Sequence, residues 1–209
     1  MNSGAGSTRR LASTRRKLSY GATNDPYCYP GTQTLINKAG ITDPAVLEQF
    51  ELAKFLSRTQ SPWPSGRLDK SHYLALHRHL FQDVYDWAGR PRNIRTGKAG
   101  NWFCFPEFIG GELDRLFADL RARNYLKGLA LAGFAPAAAH VLAELNAIHA
   151  FREGNGRTQL AFLRLLCLNA GHAFRAEVLD PGRVISAMIA SFDGDEAPLA
   201  ALISDIAAP

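Results

Sequence analysis

The sequence contains few cysteines and no long apolar run, and each absence excludes a class of protein. Only three cysteines occur among 209 residues, Cys28, Cys104 and Cys167, and none stands in a Cys-x-x-Cys spacing. An odd, scattered set predicts neither a disulfide framework nor a zinc knuckle, and it favours a reducing compartment. No stretch approaches the roughly 18 apolar residues that a membrane span needs. We therefore expect no membrane partner.

Acidic residues are missing from the first 20 positions, and this absence accounts for the whole net charge of +5. Five basic residues supply the excess: Arg9, Arg10, Arg15, Arg16 and Lys17. Because the rest of the chain has no net charge, it lacks the electrostatic footprint of a nucleic-acid-binding protein. The sequence predicts a basic, disordered tail over residues 1–21, with a transit or export signal as the alternative. We expect no direct nucleic-acid partner.

About seven helices are predicted in the rest of the chain, which indicates a single all-α domain over residues 22–209. Asp43-Pro44 and Asp180-Pro181 each predict a helix start, with Asp as the N-cap and Pro in the first turn. Asp69 predicts the cap of a helix whose apolar face, at 3–4 residue spacing, ends at Gly89. The other expected helix starts are Pro106, Pro136 and the Gly-Asn-Gly run at 154–156.

Residues 90–105 interrupt the helical pattern. Pro91 opposes continuation of a helix, and strand-like pieces at Asn93–Arg95 and Asn101–Cys104 flank a Gly-Lys-Ala-Gly turn. This arrangement predicts one β-hairpin, at about residues 92–105.

The nine residues from His149 to Arg157, HAFREGNGR, predict a phosphate site. One helix ends at the histidine and the next begins within the Gly-Asn-Gly run, whose glycines let the backbone approach a ligand closely. The unpaired N–H groups and the positive dipole end of the second helix face the same place. Arg157, in the first turn of that helix, is suited to bind phosphate oxygens with two N–H groups.

Glu153 and His149 add chemistry to this site. A carboxylate beside a polyphosphate is repelled unless a divalent cation lies between them, so Glu153 is a candidate Mg²⁺ ligand. His149 titrates near neutral pH, which suits a general base that deprotonates an attacking hydroxyl. Each residue alone has an ordinary structural interpretation. Their combination within nine residues favours a nucleotide site.

A zinc site on the second predicted helix is the competing interpretation, because His72, His77 and His79 lie close together there. At about 100° per residue, His77 points away from the other two, so the three do not converge on one metal. We expect His77 to be a core histidine.

The nine-residue run resembles the motif of the Fic family, His-Pro-Phe-x-Asp/Glu-Gly-Asn-Gly-Arg-x-x-Arg. The segment VYDWAGRPRNIRTGKAGNWFCFPEFI is similar to the family's Trp-Ala-Gly helix end and flap hairpin. NDPYCYPGTQTLINKAGI resembles the entry segment of stand-alone Fic toxins and of Fic domains in translocated bacterial effectors. The resemblance covers about residues 20–175. The matching motif positions are His149, Phe151, Glu153, Gly154, Asn155, Gly156 and Arg157.

The resemblance implies a Fic-type helical domain with the hairpin as a flap over the active site, and transfer of AMP from ATP to a Tyr, Thr or Ser hydroxyl. His149 would be the base and Glu153 the Mg²⁺ ligand. The amides of residues 154–156 would form an anion hole, and Arg157 would bind the nucleotide phosphates. Lys98, at the flap tip, would either contact phosphate or be a solvated turn residue.

The resemblance also implies partners. The target protein would pair as a strand with the flap. The family's inhibitory pattern, Ser/Thr-x-x-x-Glu-Gly/Asn, occurs nowhere in this sequence. Either a separate small antitoxin would then supply the inhibitory helix, as for the stand-alone toxins, or there is no antitoxin. The expected location is the bacterial cytoplasm, with export as an effector left open.

Two motif positions differ, and the second leaves alternatives open. Ala150 replaces proline, and Leu160 replaces the second arginine. The lost phosphate contact is worth about 1.5–3 kcal/mol, and Arg164 and Arg152 are candidates to replace it. Leucine here also resembles the Doc branch, which transfers phosphate. A Doc-like phosphotransferase and a catalytically weakened binding module are therefore the alternatives to an adenylyltransferase.

Overall fold

The computed structural model describes residues 25–98 and 101–208. Seven α-helices form in this part of the chain: α1 (Pro44–Thr59), α2 (Lys70–Phe81), α3 (Pro106–Ala122), α4 (Leu131–Ile148), α5 (Asn155–Ala170), α6 (Pro181–Phe192) and α7 (Ala197–Ile206). Four two-residue strands form two antiparallel pairs: β1 (Gly97–Lys98) with β2 (Asn101–Trp102), and β3 (Ala173–Phe174) with β4 (Ala207–Ala208). The all-α prediction is confirmed. The predicted basic tail lies outside the described residues.

Helix α4 lies in the centre of the main core and packs against α3, α5, α6 and α7. Its buried side chains include Phe134, Leu142 and Ile148. By length and composition alone this helix would also qualify as a membrane span, contrary to the sequence expectation. Its position among four other helices accounts for its apolar composition.

A smaller core joins the entry segment to the first two helices. Cys28 and Leu35 form an antiparallel bridge and pack with Leu47 of α1, and with Phe81 and Tyr85 at and after the end of α2. Helix α2 also contacts α5. This cluster therefore places α1 beside the start of α5.

The three predicted aspartate caps are present. The Asp43 side chain accepts hydrogen bonds from the first amides of α1, and Asp69 and Asp180 accept from His72 and Arg183 in the first turns of α2 and α6. Each cap satisfies an amide that has no partner within its helix.

The predicted end of α2 at Gly89 is wrong, because the helix stops at Phe81. Successive turns follow, in which the amides of Val84 and Ala88 bond to Phe81 and Tyr85. Gly89 has a positive φ of 81°, and its amide donates to His77 Nδ1 at 2.8 Å. The bend needed to reach this histidine takes the place of another turn of helix.

The predicted start of α4 at Pro136 is also wrong. The helix begins at Leu131, with Pro136 in its second turn. The proline forfeits one amide hydrogen bond. However, Phe134 and Ala135 in the same turn are almost fully buried, and burial of these side chains favours the longer helix.

The hairpin prediction is confirmed, but its first strand lies later than expected. Gly97 pairs with Trp102 and Lys98 with Asn101, and the Phe103 amide donates to Thr96 O. Asn93–Arg95 is not a strand, because the Ile94 carbonyl accepts a hydrogen bond from the Arg92 side chain instead of a strand partner.

Candidate active site

The loop between α4 and α5 is closed by the side chain of Asn155. Its Oδ1 accepts from the Phe151 amide at 2.9 Å, and its Nδ2 donates to the Phe151 carbonyl at 2.8 Å. Gly154 has a φ of 81°, and a Cβ at this position would lie 2.4 Å from the Phe81 ring. The amides at the start of α5 have no partners within the helix. The Gly154 amide donates to Glu153 Oε1 at 2.8 Å. The loop therefore presents the amides of Asn155 and Gly156 as backbone donors, while the Asn155 side chain is used within it.

His149 ends α4 in the left-handed region, with φ 47° and ψ 58°. Its amide donates to Leu145 O, which closes the helix. Its ring stacks on Phe103, with centroids 3.7 Å apart and planes 4° from parallel. Phe103 directly follows strand β2, so the base of the hairpin holds the imidazole in place.

Arg92 fixes the backbone of the same histidine, and sequence reasoning missed it. The residue is 2% exposed. Its guanidinium donates to four carbonyls at 2.6–3.3 Å, those of Ile94, Cys104, Ile148 and His149. Two of these belong to the hairpin region and two to the end of α4, so Arg92 joins the hairpin to the helix end.

His77, on α2, supports the loop between α4 and α5 as a neutral imidazole. Because the Gly89 amide donates to Nδ1, the proton of the neutral ring must lie on Nε2, which donates to Glu153 O at 2.9 Å. The ring stacks on Phe151 at 3.7 Å. Burial lowers the pKa of His77 to about 3, with a smaller lowering from the Arg157 charge. The expected core histidine is therefore also a support of the loop.

Arg157 lies among carboxylates and aromatic rings. Its Nη2 is 2.5 Å from Glu51 Oε1 on α1 and 3.5 Å from Glu153 Oε1. Its guanidinium lies over the Phe81 ring at 4.6 Å. Glu51 also accepts a hydrogen bond from the Tyr85 hydroxyl. Sequence reasoning placed Glu153 and Arg157 together but missed Glu51, which lies 106 residues from its partner.

Two cavities border the loop. An apolar one of about 260 Å³ is lined by His149 and Gly156, by Phe103, and by one face of α6 that includes Ile185 and Met188. We call a second one, of about 530 Å³, the polar cavity because four charged side chains line it. Its lining includes Glu48, Glu51, Glu153 and Arg157, with Thr34 and Tyr85. The motif thus contributes residues to an apolar and to a polar cavity.

Leu160, Arg152 and Arg164 are not brought to the start of α5. Leu160 packs against the main core. Arg152 is 5% exposed and pairs with Asp25 at 2.7 Å, so its proposed role as a substitute for the second arginine is wrong. Arg164 lies over the Trp63 ring. The side chain of Lys98 lies outside the described part of the structure.

The histidines of α2 are directed at different backbone carbonyls. His72 Nε2 contacts Pro64 O and His79 Nε2 contacts Arg58 O, each at 2.9 Å. His77 faces Glu153 O. Their rings therefore do not face one common ligand.

Comparison with known proteins places this geometry in a family context. Residues 67–167 match the model of the Fic/DOC family. The chain is 55% identical over 187 residues to the probable protein adenylyltransferase y4lH of Sinorhizobium fredii, covering 89% of this chain and 97% of that protein. It is 35% identical to the protein adenylyltransferase VbhT of Bartonella schoenbuchensis, over 88% of this chain and 39% of VbhT.

A solved structure shares the fold. The BepC protein of Bartonella tribocorum, a VirB-translocated effector with bound AMPPNP, superposes with a TM-score of 0.78 at 31% identity. The match covers 88% of this chain and 96% of that one.

His77 predicts a loss of stability in acid. Between its folded pKa of about 3 and its ordinary value of 6.5, the unfolded state binds one more proton than the folded state. Its contribution is complete above pH 6.5 and is lost as the pH falls toward 3. The slope is up to about 1.4 kcal/mol per pH unit, measurable by urea unfolding from pH 7 to pH 4. The His77→Gln variant should lose this part of the slope; an unchanged slope would contradict the assignment, as would titration of the His77 ring near pH 6 by NMR.

Two glycines of the loop predict opposite effects on stability. Gly154→Ala forces a positive φ on alanine and a 2.4 Å approach to Phe81, so we expect a loss of about 2–4 kcal/mol. Gly156 has no heavy atom within 4 Å of an added Cβ, so Gly156→Ala should keep or slightly raise the unfolding free energy. Denaturant unfolding of the two variants measures the contrast, and equal losses would contradict it.

Proposed function

Because the chain belongs to the Fic/DOC family, we infer that it is a protein adenylyltransferase, which transfers AMP from ATP to a hydroxyl side chain of another protein. The names of its relatives support this activity. The neighbouring fold that holds AMPPNP supports ATP as the substrate. The observation that carries the function is the loop of residues 149–157, which presents a histidine, a carboxylate, helix-start amides and an arginine together.

In the proposed mechanism, His149 is the general base. The target hydroxyl attacks the α-phosphorus of ATP and passes its proton to the imidazole. The bond from the α-phosphorus to the oxygen that bridges to the β-phosphorus breaks, and pyrophosphate leaves with the electron pair. The stack on Phe103 and the Arg92 hydrogen bond to the His149 carbonyl hold the base in one orientation.

The phosphates are proposed to lie at the start of α5. The backbone amides of residues 154–156 and the guanidinium of Arg157 would supply donors there. The Gly154 amide, which donates to Glu153 Oε1, would have to release that carboxylate to bind phosphate. The Glu153 carboxylate is 38% exposed and lines the polar cavity beside Arg157, so one hard oxygen ligand is available where a polyphosphate arrives. This fits Mg²⁺, which uses one or two carboxylates plus phosphate oxygens and would neutralise phosphate charge. Glu153 would hold it.

The base of the nucleotide is proposed to occupy the apolar cavity. That cavity lies against His149 and Gly156, and its far wall is the apolar face of α6. An aromatic base gains from burial against aliphatic side chains, whereas the triphosphate requires the polar side of the loop.

Two protein partners are proposed, one because of the hairpin and one because the sequence has no inhibitory Ser/Thr-x-x-x-Glu-Gly/Asn pattern. Among the described residues the hairpin has only two strands, so an extended target segment can pair with an outer edge. We propose that a small separate antitoxin provides an inhibitory helix. The three free cysteines support a reducing, cytoplasmic location in a bacterium before any export as an effector.

A Doc-like phosphotransferase or a nucleotide-binding module is the second candidate, because the partly buried Leu160 packs against the core where the motif has an arginine. The Gly154-Asn155-Gly156 run supports AMP transfer instead. The Doc branch, which this sequence resembles at Leu160, usually carries Ala-Asn-Lys at these three positions.

Labelled ATP separates the candidates. We expect label on protein from α-labelled ATP and none from γ-labelled ATP; the reverse would establish phosphate transfer, and no label from either would indicate a binding module.

His149→Ala should reduce transfer at least 100-fold, since general-base catalysis contributes about 10²–10⁴-fold. Wild-type turnover in a folded His149→Ala protein would contradict the base assignment.

Leu160 predicts weak nucleotide binding that an arginine should correct. Leu160→Arg restores a cation one helical turn after Arg157, so ATP should bind about 10-fold to 100-fold more tightly. Calorimetric titration with ATP and with ADP measures this, and ADP serves as the control because it differs from ATP only in lacking the γ-phosphate. An equal gain for both nucleotides, or no gain for ATP, would show that the γ-phosphate lies elsewhere.

A further inference from the structure

Glu51 forms a buried contact with the motif from a helix outside it. The side chain lies on α1 and is 12% exposed, with Oε1 2.5 Å from Arg157 Nη2. Its other oxygen accepts from the hydroxyl of Tyr85, a residue that is 2% exposed. An acidic group so close to a phosphate site would oppose nucleotide binding by charge alone. Its burial and its two partners point to a different role.

We propose that Glu51 is a positioning residue, which holds the Arg157 guanidinium in the orientation that binds the nucleotide phosphates. This inference rests on the proposed function. Arg157 is held on one edge by Glu51 and lies over the rings of Phe81 at 4.6 Å and Phe55 at 5.4 Å. A carboxylate at one edge and aromatic rings against the plane fix the direction of the fork before a ligand arrives.

The contact leaves Arg157 able to bind phosphate. Among the described contacts, Glu51 and Glu153 both lie at Nη2, so the donors at Nε and Nη1 remain for oxygens in the polar cavity. Tyr85 in turn holds Glu51 in place. Burial, and then the Glu51 charge, raise the pKa of Tyr85, so its hydroxyl stays protonated and keeps donating. The Glu51 carboxylate is therefore a fixed support for the arginine.

The charge-neutral variant Glu51→Gln tests this role, because positioning and repulsion predict opposite signs. Losing the ion pair releases Arg157, so ATP should bind about tenfold more weakly and the apparent KM for ATP should rise, with a smaller change in kcat. Tighter ATP binding would overturn the proposal, since it would show that Glu51 competes with phosphate. Binding is measured by calorimetry with ATP and Mg²⁺, without a target protein.

The Arg157→Ala background separates positioning from a general structural effect. Once Arg157 is absent there is nothing to orient, so adding Glu51→Gln should weaken ATP binding no further. An equal further loss would overturn the proposal. Tyr85→Phe provides a second variant that keeps Glu51 charged, and it should weaken ATP binding in the same direction by a smaller factor; unchanged affinity would contradict the support assigned to Tyr85.

Helix α1 offers a matched control. Arg58, two turns after Glu51, pairs with Asp83 at 2.5 Å, away from the motif loop. Like Glu51→Gln, Asp83→Asn breaks a contact between α1 and the segment after α2, but this contact does not involve Arg157. It should therefore leave the affinity for ATP unchanged. A loss equal to that of Glu51→Gln would assign both effects to the placement of α1. Failure of AMP transfer in the wild type, with the Glu51 effect on binding intact, would remove the proposed function alone.

Discussion

The buried guanidinium of Arg92 is the interaction on which the geometry of the site depends. Burying a charge without partners is costly, but Arg92 has four carbonyl acceptors. Two of them, at Ile148 and His149, terminate α4 and would otherwise lack helix partners. The other two precede and follow the hairpin strands. The same contact therefore satisfies a helix end and anchors the hairpin, and it fixes His149 relative to the hairpin.

The buried imidazole of His77 holds the other end of the loop between α4 and α5. His77 reaches from α2 to the Glu153 carbonyl and to the Gly89 amide, and it stacks on Phe151. It does so as a neutral imidazole, because its pKa lies far below neutral pH. The backbone on either side of the metal-binding candidate is thus held by one cation and one neutral ring, both inaccessible to solvent.

Much of this arrangement could be predicted from local sequence. Asp43, Asp69 and Asp180 signal helix starts through side-chain capping, which acts within three residues, and the loop from His149 to Arg157 follows from glycines between two helical patterns. The misplaced ends of α2 and α4 show where local signals fail. Gly89 has the residue type and positive φ of a helix end, but this conformation allows its amide to bond to His77. At Pro136, the burial of Phe134 and Ala135 outweighs the cost of the lost amide hydrogen bond. Arg92 and Glu51 were not predictable, because the contacts that place them at the site, to His149 and to Arg157, span 57 and 106 residues. Neither residue belongs to a recurring short pattern.

Leu160 changes how the charges of the site are balanced. In the motif that this sequence resembles, a second arginine also binds the phosphates. Here the partly buried Leu160 packs against the core at that position, Arg152 pairs with Asp25, and Arg164 lies over Trp63. The donors that the start of α5 offers to phosphate are then the guanidinium of Arg157 and backbone amides. The loop fixes the amides in place. A single arginine with several rotatable bonds binds poorly unless its orientation is set beforehand, because each ordered side chain costs entropy on binding. The aromatic rings beside Arg157 and the carboxylate at its edge would reduce that cost, so that α1, which contributes no residue to the motif, would form part of the proposed nucleotide site.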